Sequence, residues 1–130
     1  MGQQLTTVHS RLRTADQLIS DASADFGGMW PRAAAWMLRI AMEQAIRELW
    51  HAVSPQMGRV TVRAQLLVLP KYLGEDAAAE ARLLWSELSV TAHHHDFALA
   101  PAVQELRRWQ GAAHRVAAAV DAAIAESTCR

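Results

Sequence analysis

The chain is poor in several residue types, and each shortage removes a class of protein. Among its 130 residues there is one cysteine, Cys129, beside the C-terminus, so no internal disulfide framework can form. There is one tyrosine, two phenylalanines and few β-branched residues, which argues against a sheet. Net charge is absent too: 13 basic residues balance 13 acidic ones. A bulk basic field for non-specific DNA binding is thereby excluded, as is an electrostatic membrane anchor, although a local basic site is not. No apolar run reaches membrane-spanning length, because Arg39, Glu43 and Arg47 interrupt the best candidate. The opening MGQQLTTVHSRLR lacks the apolar segment of a secretory signal, so a cytoplasmic location is expected. Lysine is also nearly missing: only Lys71 stands beside 12 arginines, a bias that fits genome composition better than function.

What is abundant is alanine, with 26 residues, inside a composition that is 52% hydrophobic and 20% charged. Alanine loses no side-chain entropy in a helix, and a chain of this length buries enough surface for one core without staples. Residues 1–130 therefore read as a single domain. Leu5, Val8, Leu12, Ala15, Ile19 and Ala22 form the stripe of a first amphipathic helix, ended by Gly27-Gly28. A second helix opens at Pro31 and runs to about Val53. Its inner stripe is Ala34, Met37, Leu38, Ala41, Ala45, Leu49 and Ala52, with Arg32, Arg39, Glu43, Arg47 and His51 opposite. A turn at residues 54–58 leads to a short helix from Thr61 to Leu69, whose apolar residues are Leu66, Leu67 and Leu69 and which Pro70 stops. A fourth helix starts at Glu75-Asp76, carries Ala78, Leu83, Leu84 and Leu88, and ends near Thr91. The last runs from Pro101 to about Ala125 with Val103, Leu106, Ala113, Val116, Val120 and Ala123 inward. Gly111 inside it costs about 1 kcal/mol relative to alanine unless another helix crosses closely there. Four to five helices joined by short turns predict an all-α, compact up-and-down antiparallel bundle.

The unusual local feature is His93-His94-His95-Asp96. Successive side chains on a helix point about 100° apart, so three adjacent histidines cannot converge on one metal ion. Neither HxxxH nor a pair of ExxH segments occurs, Glu48–His51 being a single instance, so no metal and no cofactor is expected. An imidazole near a helix end can carry protons near neutrality, or make an interface sensitive to pH. It can also simply satisfy the last helical carbonyls while its neighbours are solvated. Of the five tryptophans, those within the helices read as core and interface residues. Trp36 is set apart because it falls near the Arg39–Glu43 stripe, where it would be covered by another chain or packed on its own arginine.

The stretch LLWSELSVTAHHHDFALAPAVQELRRW, Leu83 to Trp109, resembles the back end of HEPN domains. These all-α domains are named for higher eukaryotes and prokaryotes nucleotide binding, and many are metal-independent endoribonucleases of toxin–antitoxin and anti-phage systems. The resemblance spans about Asp76 to Arg130, with a matching helix count upstream. It implies a homodimer that brings two copies of a motif together around RNA. In that motif an arginine, followed four to six residues later by a histidine, stabilises the scissile phosphate while the histidine acts on the 2′-hydroxyl or the leaving group. Here the catalytic candidates are His93, His94 and His95 with Ser89, but positions 86–90 hold no arginine. Arg39 or Arg47 of the second helix would have to supply the charge. Arg108 and His114 repeat the spacing inside one helix but face different sides. The expectation is an RNA-directed HEPN-like domain of a bacterial defence or toxin-type system, active or a catalytically silent relative. The alternative is a non-catalytic helical interaction module or subunit of a regulatory complex with a protein partner, showing an apolar exposed face on its first or last helix.

Overall fold

The computed structural model describes residues 2–20, 30–93 and 102–129. Those residues form helices α1 (Gly2–Ser20), α2 (Trp30–Val53), α3 (Val62–Val68), α4 (Pro70–Leu73), α5 (Glu75–His93) and α6 (Val103–Thr128), with a short 3-10 segment, Pro55–Arg59, before α3. No strand occurs among them. The fold is the expected all-α up-and-down bundle, in which α2 and α6 form the centre: each packs on α1, on α5 and on the other. No helix is long and apolar enough, among the described residues, to cross a membrane.

The apolar stripes explain this packing. On α1, Val8, Leu12, Ala15 and Ile19 are each no more than 2% exposed. On α2 the buried face is wider than the expected stripe, because Ala35, Met42, Ile46 and Trp50 join it. A helix that touches three neighbours buries more than one stripe. α6 likewise adds Trp109, Ala112, Ala117 and Ile124 to the predicted set. Many of the alanines, Ala34, Ala41, Ala45, Ala78 and Ala113 among them, lie fully inside. Their small side chains let helix backbones approach while the leucines and two tryptophans fill the gaps between layers.

The middle of the chain departs from the expected pattern. Thr61 caps α3, its Oγ1 accepting from the Ala64 N–H at 3.2 Å. α3 ends at Val68, ahead of Pro70 as expected, but the chain does not leave helical geometry there. Leu69 keeps right-handed helical angles and Pro70 occupies the first position of a new turn, where its missing N–H costs nothing. The stop comes at Gly74, which adopts φ +83°, a conformation that side chains with a Cβ disfavour. Acidic Glu75 and Asp76 then open α5 at the positive end of its dipole. Two of the leucines named for these helices lie outside: Leu67 is 69% and Leu83 is 56% exposed. Each sits beside a leucine-type residue that took the inward position, and one helical step turns a side chain by about 100°. α5 also runs past Thr91 to His93, and α6 starts at Val103 and reaches Thr128.

Among the described residues, the three atoms nearest a Cβ placed at Gly111 all belong to the guanidinium of Arg115, one turn along the same helix, the first at 3.3 Å, and none to another helix.

Candidate functional site

The polar stripe of α2 turns one wall of a cavity of about 500 Å³. Arg39, Glu43, Arg47 and His51 recur every four residues along it, with Ile46 and Trp50 on its inner edge. Pro55 and Gly58 of the 3-10 segment close one end. Val62, Gln65 and Leu66 of α3 and Trp85 of α5 make the facing wall. A second cavity of about 530 Å³ adjoins it, sharing Val62, Leu66 and Trp85 and adding Arg63, Arg82, Ser86, Ser89 and Val90. Together they form one groove between α2, α3 and α5.

The groove is basic in a chain of zero net charge: four arginines line it against one carboxylate, Glu43. Among the described residues Arg47, Arg63 and Arg82 make no ion pair. Arg39 lies over the Trp85 ring, 5.7 Å from its centroid, a cation–π contact that holds the two walls together. Its Nε is 3.4 Å from Glu43 Oε1, close enough for attraction but without a hydrogen bond. Trp50 stands edge-on to Tyr72 with ring centroids 5.4 Å apart, and its buried Nε1 has no acceptor. An orphaned buried donor costs about 1–3 kcal/mol. Arg39 Nε and Trp50 Nε1 are the two such side-chain atoms among the described residues; both residues line the first cavity, but the two atoms are sealed from it.

Gln65 is held in a fixed orientation. Its Nε2 donates to the carbonyls of Met57 at 2.9 Å and Val60 at 3.0 Å, so the amide nitrogen must face the 3-10 segment. The amide oxygen is left as its acceptor.

Of the residues predicted to act, Arg39 and Arg47 line the first cavity and Ser89 the second. The backbone of α5 continues from Ser89 to His93, one turn further on. His94 and His95 lie outside the described residues, as does the side chain of His93. Arg63, Arg82, Gln65 and Trp85 were not foreseen as site residues. On α5, Arg82, Ser86 and Ser89 share one face by spacing, which was readable; that α3 would dock opposite them was not.

Three other sequence features resolve differently. Trp36 is 58% exposed, and the arginine of its stripe stacks on Trp85 instead. Arg108 and His114 point to different neighbours, Arg108 to Glu87 on α5 and His114 to Asp16 on α1, so their spacing brings nothing together. Among the described side chains, the exposed large apolar ones on helices, Leu67, Leu83, Val90 and Trp36 foremost, belong to α2, α3 and α5, whereas an interaction face was expected on the first or last helix. No three His, Cys, Asp or Glu side chains among the described residues gather to hold a metal ion.

Compared with protein-family models, with curated proteins and with solved structures, the chain matches none of them.

Proposed function

We propose that this chain is a HEPN-like, RNA-directed helical domain and that the groove between α2, α3 and α5 holds the RNA backbone. One observation carries the reading: four arginines from three helices line adjoining cavities, and three of them have no ion-pair partner among the described residues. Unpaired arginines along a groove are what a chain of phosphates requires, each supplying a planar fork of donors. The groove follows α5 as far as Val90, one turn short of the histidine run.

In this reading Arg39 or Arg47 stands in for the motif arginine that the α5 sequence lacks. Its charge stabilises the phosphorane-like transition state as the 2′-oxygen attacks phosphorus. A histidine of the 93–95 run takes the 2′-hydroxyl proton, and a proton is returned to the departing 5′-oxygen, leaving a 2′,3′-cyclic phosphate and a 5′-hydroxyl.

The test is cleavage of a labelled pool of tRNA and mRNA in EDTA. Wild type is compared with a His93→Ala, His94→Ala, His95→Ala variant whose helicity is confirmed by circular dichroism. Cutting that persists in EDTA and disappears in the folded variant supports the nuclease. RNA binding without cutting supports a silent relative, and a folded wild type that neither binds nor cuts removes the reading.

A second reading, a helical interaction module that pairs with itself or a partner, is favoured by the exposed Leu67, Leu83 and Val90 beside the same groove. Sedimentation of the wild type against a Leu67→Ser, Leu83→Ser variant decides it: loss of a dimer supports the module, and a monomer in both cases removes its homodimeric form.

A further inference from the structure

We infer that the second cavity, between Arg63 of α3 and Arg82 of α5, is a subsite for one backbone phosphate of the strand, away from the bond that is cut. The inference deepens the RNA reading above and rests on it. Two guanidiniums from facing helices line this cavity of about 530 Å³, and no Asp or Glu lines it. Neither arginine makes an ion pair among the described residues. Arg63 is exposed and Arg82 half-buried, so both are reached from solvent. Ser86 and Ser89, one and two turns on from Arg82, bring hydroxyls to the same cavity. The want of carboxylates extends beyond the cavity. Between Glu48 and Glu75 the chain has no Asp or Glu, while Arg59, Arg63 and Lys71 fall in that stretch. The acids of α5 are spent elsewhere: Glu80 and Glu87, seven apart, pair with Arg115 and Arg108 of α6. Arg82 and Ser89, also seven apart, take the side toward α3.

Two unpaired arginine forks with hydroxyls between them call for an anion that brings acceptor oxygens, which a phosphodiester does. Its place along the strand follows from α5. Arg82 and His93 are eleven positions apart on that helix, three turns, so their backbones lie on one side of it about 16 Å apart along the axis. A donor must come within about 3 Å of the oxygen it binds, so a phosphate held at Arg82 is not the one that reacts beside the histidine run. At about 3.4 Å per nucleotide of a stacked strand the separation is roughly five nucleotides, and fewer in an extended one. Arg63 and Arg82 are therefore positioning residues. They hold the strand in register, and the reacting phosphate is left to the rest of the groove.

The experiment measures binding of a fluorescent single-stranded 2′-O-methyl RNA, which lacks the attacking hydroxyl, by anisotropy over a series of salt concentrations. Arg63→Gln, Arg82→Gln and the double variant are compared with the full wild-type chain. Each of the three should weaken binding roughly tenfold, the effect of lost charged hydrogen bonds. Each should also lower the salt slope by the same amount, about 0.7, because one phosphate is released whichever arginine goes. Arg63→Lys with Arg82→Lys should recover part of the affinity, since the charge stays while the fork is lost. Ser86→Asp keeps both arginines but sets a carboxylate beside them, and should weaken binding at least as much. Where the wild type cuts unmodified RNA, the arginine variants should raise KM roughly tenfold and leave kcat unchanged. Urea midpoints confirm that the variants fold, and should an arginine variant unfold, Ser86→Asp decides.

RNA that binds every folded variant as it binds the wild type overturns the subsite and leaves the RNA reading standing. A slope that falls twice as far in the double variant as in either single one gives the arginines separate phosphates, and overturns the shared site. A loss confined to kcat puts them at the reacting phosphate and overturns their positioning role. A folded wild type that binds no RNA removes the RNA reading, and the inference with it.

Discussion

The two sides of the bundle treat their polar side chains in opposite ways. Where α6 meets α1 and α5, charges and amides meet in pairs. His114 and Gln110 both reach Asp16, at 3.0 and 2.6 Å, and His9 reaches Asp121 at 2.8 Å. Glu87 of α5 accepts from Arg108 and from the Trp109 indole at 2.6 Å, and Arg115 reaches Glu80 at 2.7 Å. Along the groove lined by α2, α3 and α5, three arginines have no ion-pair partner among the described residues, and the Trp50 indole N–H has no acceptor there. The paired side uses its polarity to fix helix positions. The other side leaves its arginines out of ion pairs among the described residues, so their charge is not used to fix helix positions.

The largest difference should appear when one residue is removed from each side. Glu87→Ala leaves the Trp109 indole, 2% exposed, without an acceptor, and should cost about 2–3 kcal/mol in urea unfolding. Arg47→Ala with Arg82→Ala should stay within about 0.5 kcal/mol of wild type, because neither gives up an ion pair with a described residue. The same double variant should flatten the salt dependence of single-stranded RNA binding, lowering the slope by about 1.4 for two lost phosphate contacts. If it unfolds as readily as Glu87→Ala, the groove arginines are structural and the contrast between the two sides fails.

Glu87 sharpens the comparison through pH. The Arg108 hydrogen bond, opposed by burial and helped by the Trp109 N–H, holds its carboxyl below the usual glutamate range. The folded state therefore binds fewer protons than the unfolded state there. This contribution to stability is present above the ordinary glutamate value and lost as pH falls through the lowered one. Glu87→Gln keeps an acceptor for the indole but cannot titrate, so its stability should fall less steeply on acidification. A mutant and wild type with parallel acid limbs would show that the Arg108 contact does not hold in solution.

The two buried tryptophans give a smaller effect. Trp109 and Trp50 are both 2% exposed, but only the former has its N–H satisfied. Replacement by phenylalanine removes similar bulk from each site. Trp109→Phe additionally breaks a hydrogen bond to a carboxylate, so it should cost about 1–2 kcal/mol more than Trp50→Phe in paired unfolding curves. Equal costs would mean that the Trp50 N–H finds a partner in solution.

How much of this was legible in the sequence follows from how local each cause is. The α1 stripe of Val8, Leu12, Ala15 and Ile19 is set by helical period alone, and all four are buried as read. Arg39, Arg47 and Ser89 were singled out from their helices, and all three line the groove. The sequence left Leu83 and Leu67 without a face, because adjacent apolar residues give two candidate stripes, and the packing of α3 and α4 on α5 chooses between them. Arg63 and Gln65 had no local signal. Their role depends on α3 packing on α4 and α5 across the groove from α2, which no periodicity within α3 encodes. Pro70 was read as a stop and α3 does end before it, but the same residue at the first position of a new turn also begins α4, which its stop signal did not announce.

The smallest effect tests whether the paired side is optimised for stability at every point. Gly111 sits within α6, where glycine is worth up to about 1 kcal/mol less than alanine. The added Cβ would press on Arg115 Nη1 at 3.3 Å and on nothing else nearby, and that guanidinium is the far end of a flexible side chain. Arg115 is 63% exposed, so its pairing with Glu80 contributes little and can shift by a few tenths of an ångström. Gly111→Ala should therefore stabilise the fold by about 0.5–1 kcal/mol, read from the urea midpoint. In an Arg115→Ala background the gain should be as large or larger, since the one neighbour in the way is gone. A loss of stability in both backgrounds would show that α6 needs glycine for a close approach at this point, as its sequence first invited one to think. A gain would place Gly111 among positions where the paired side leaves stability unused.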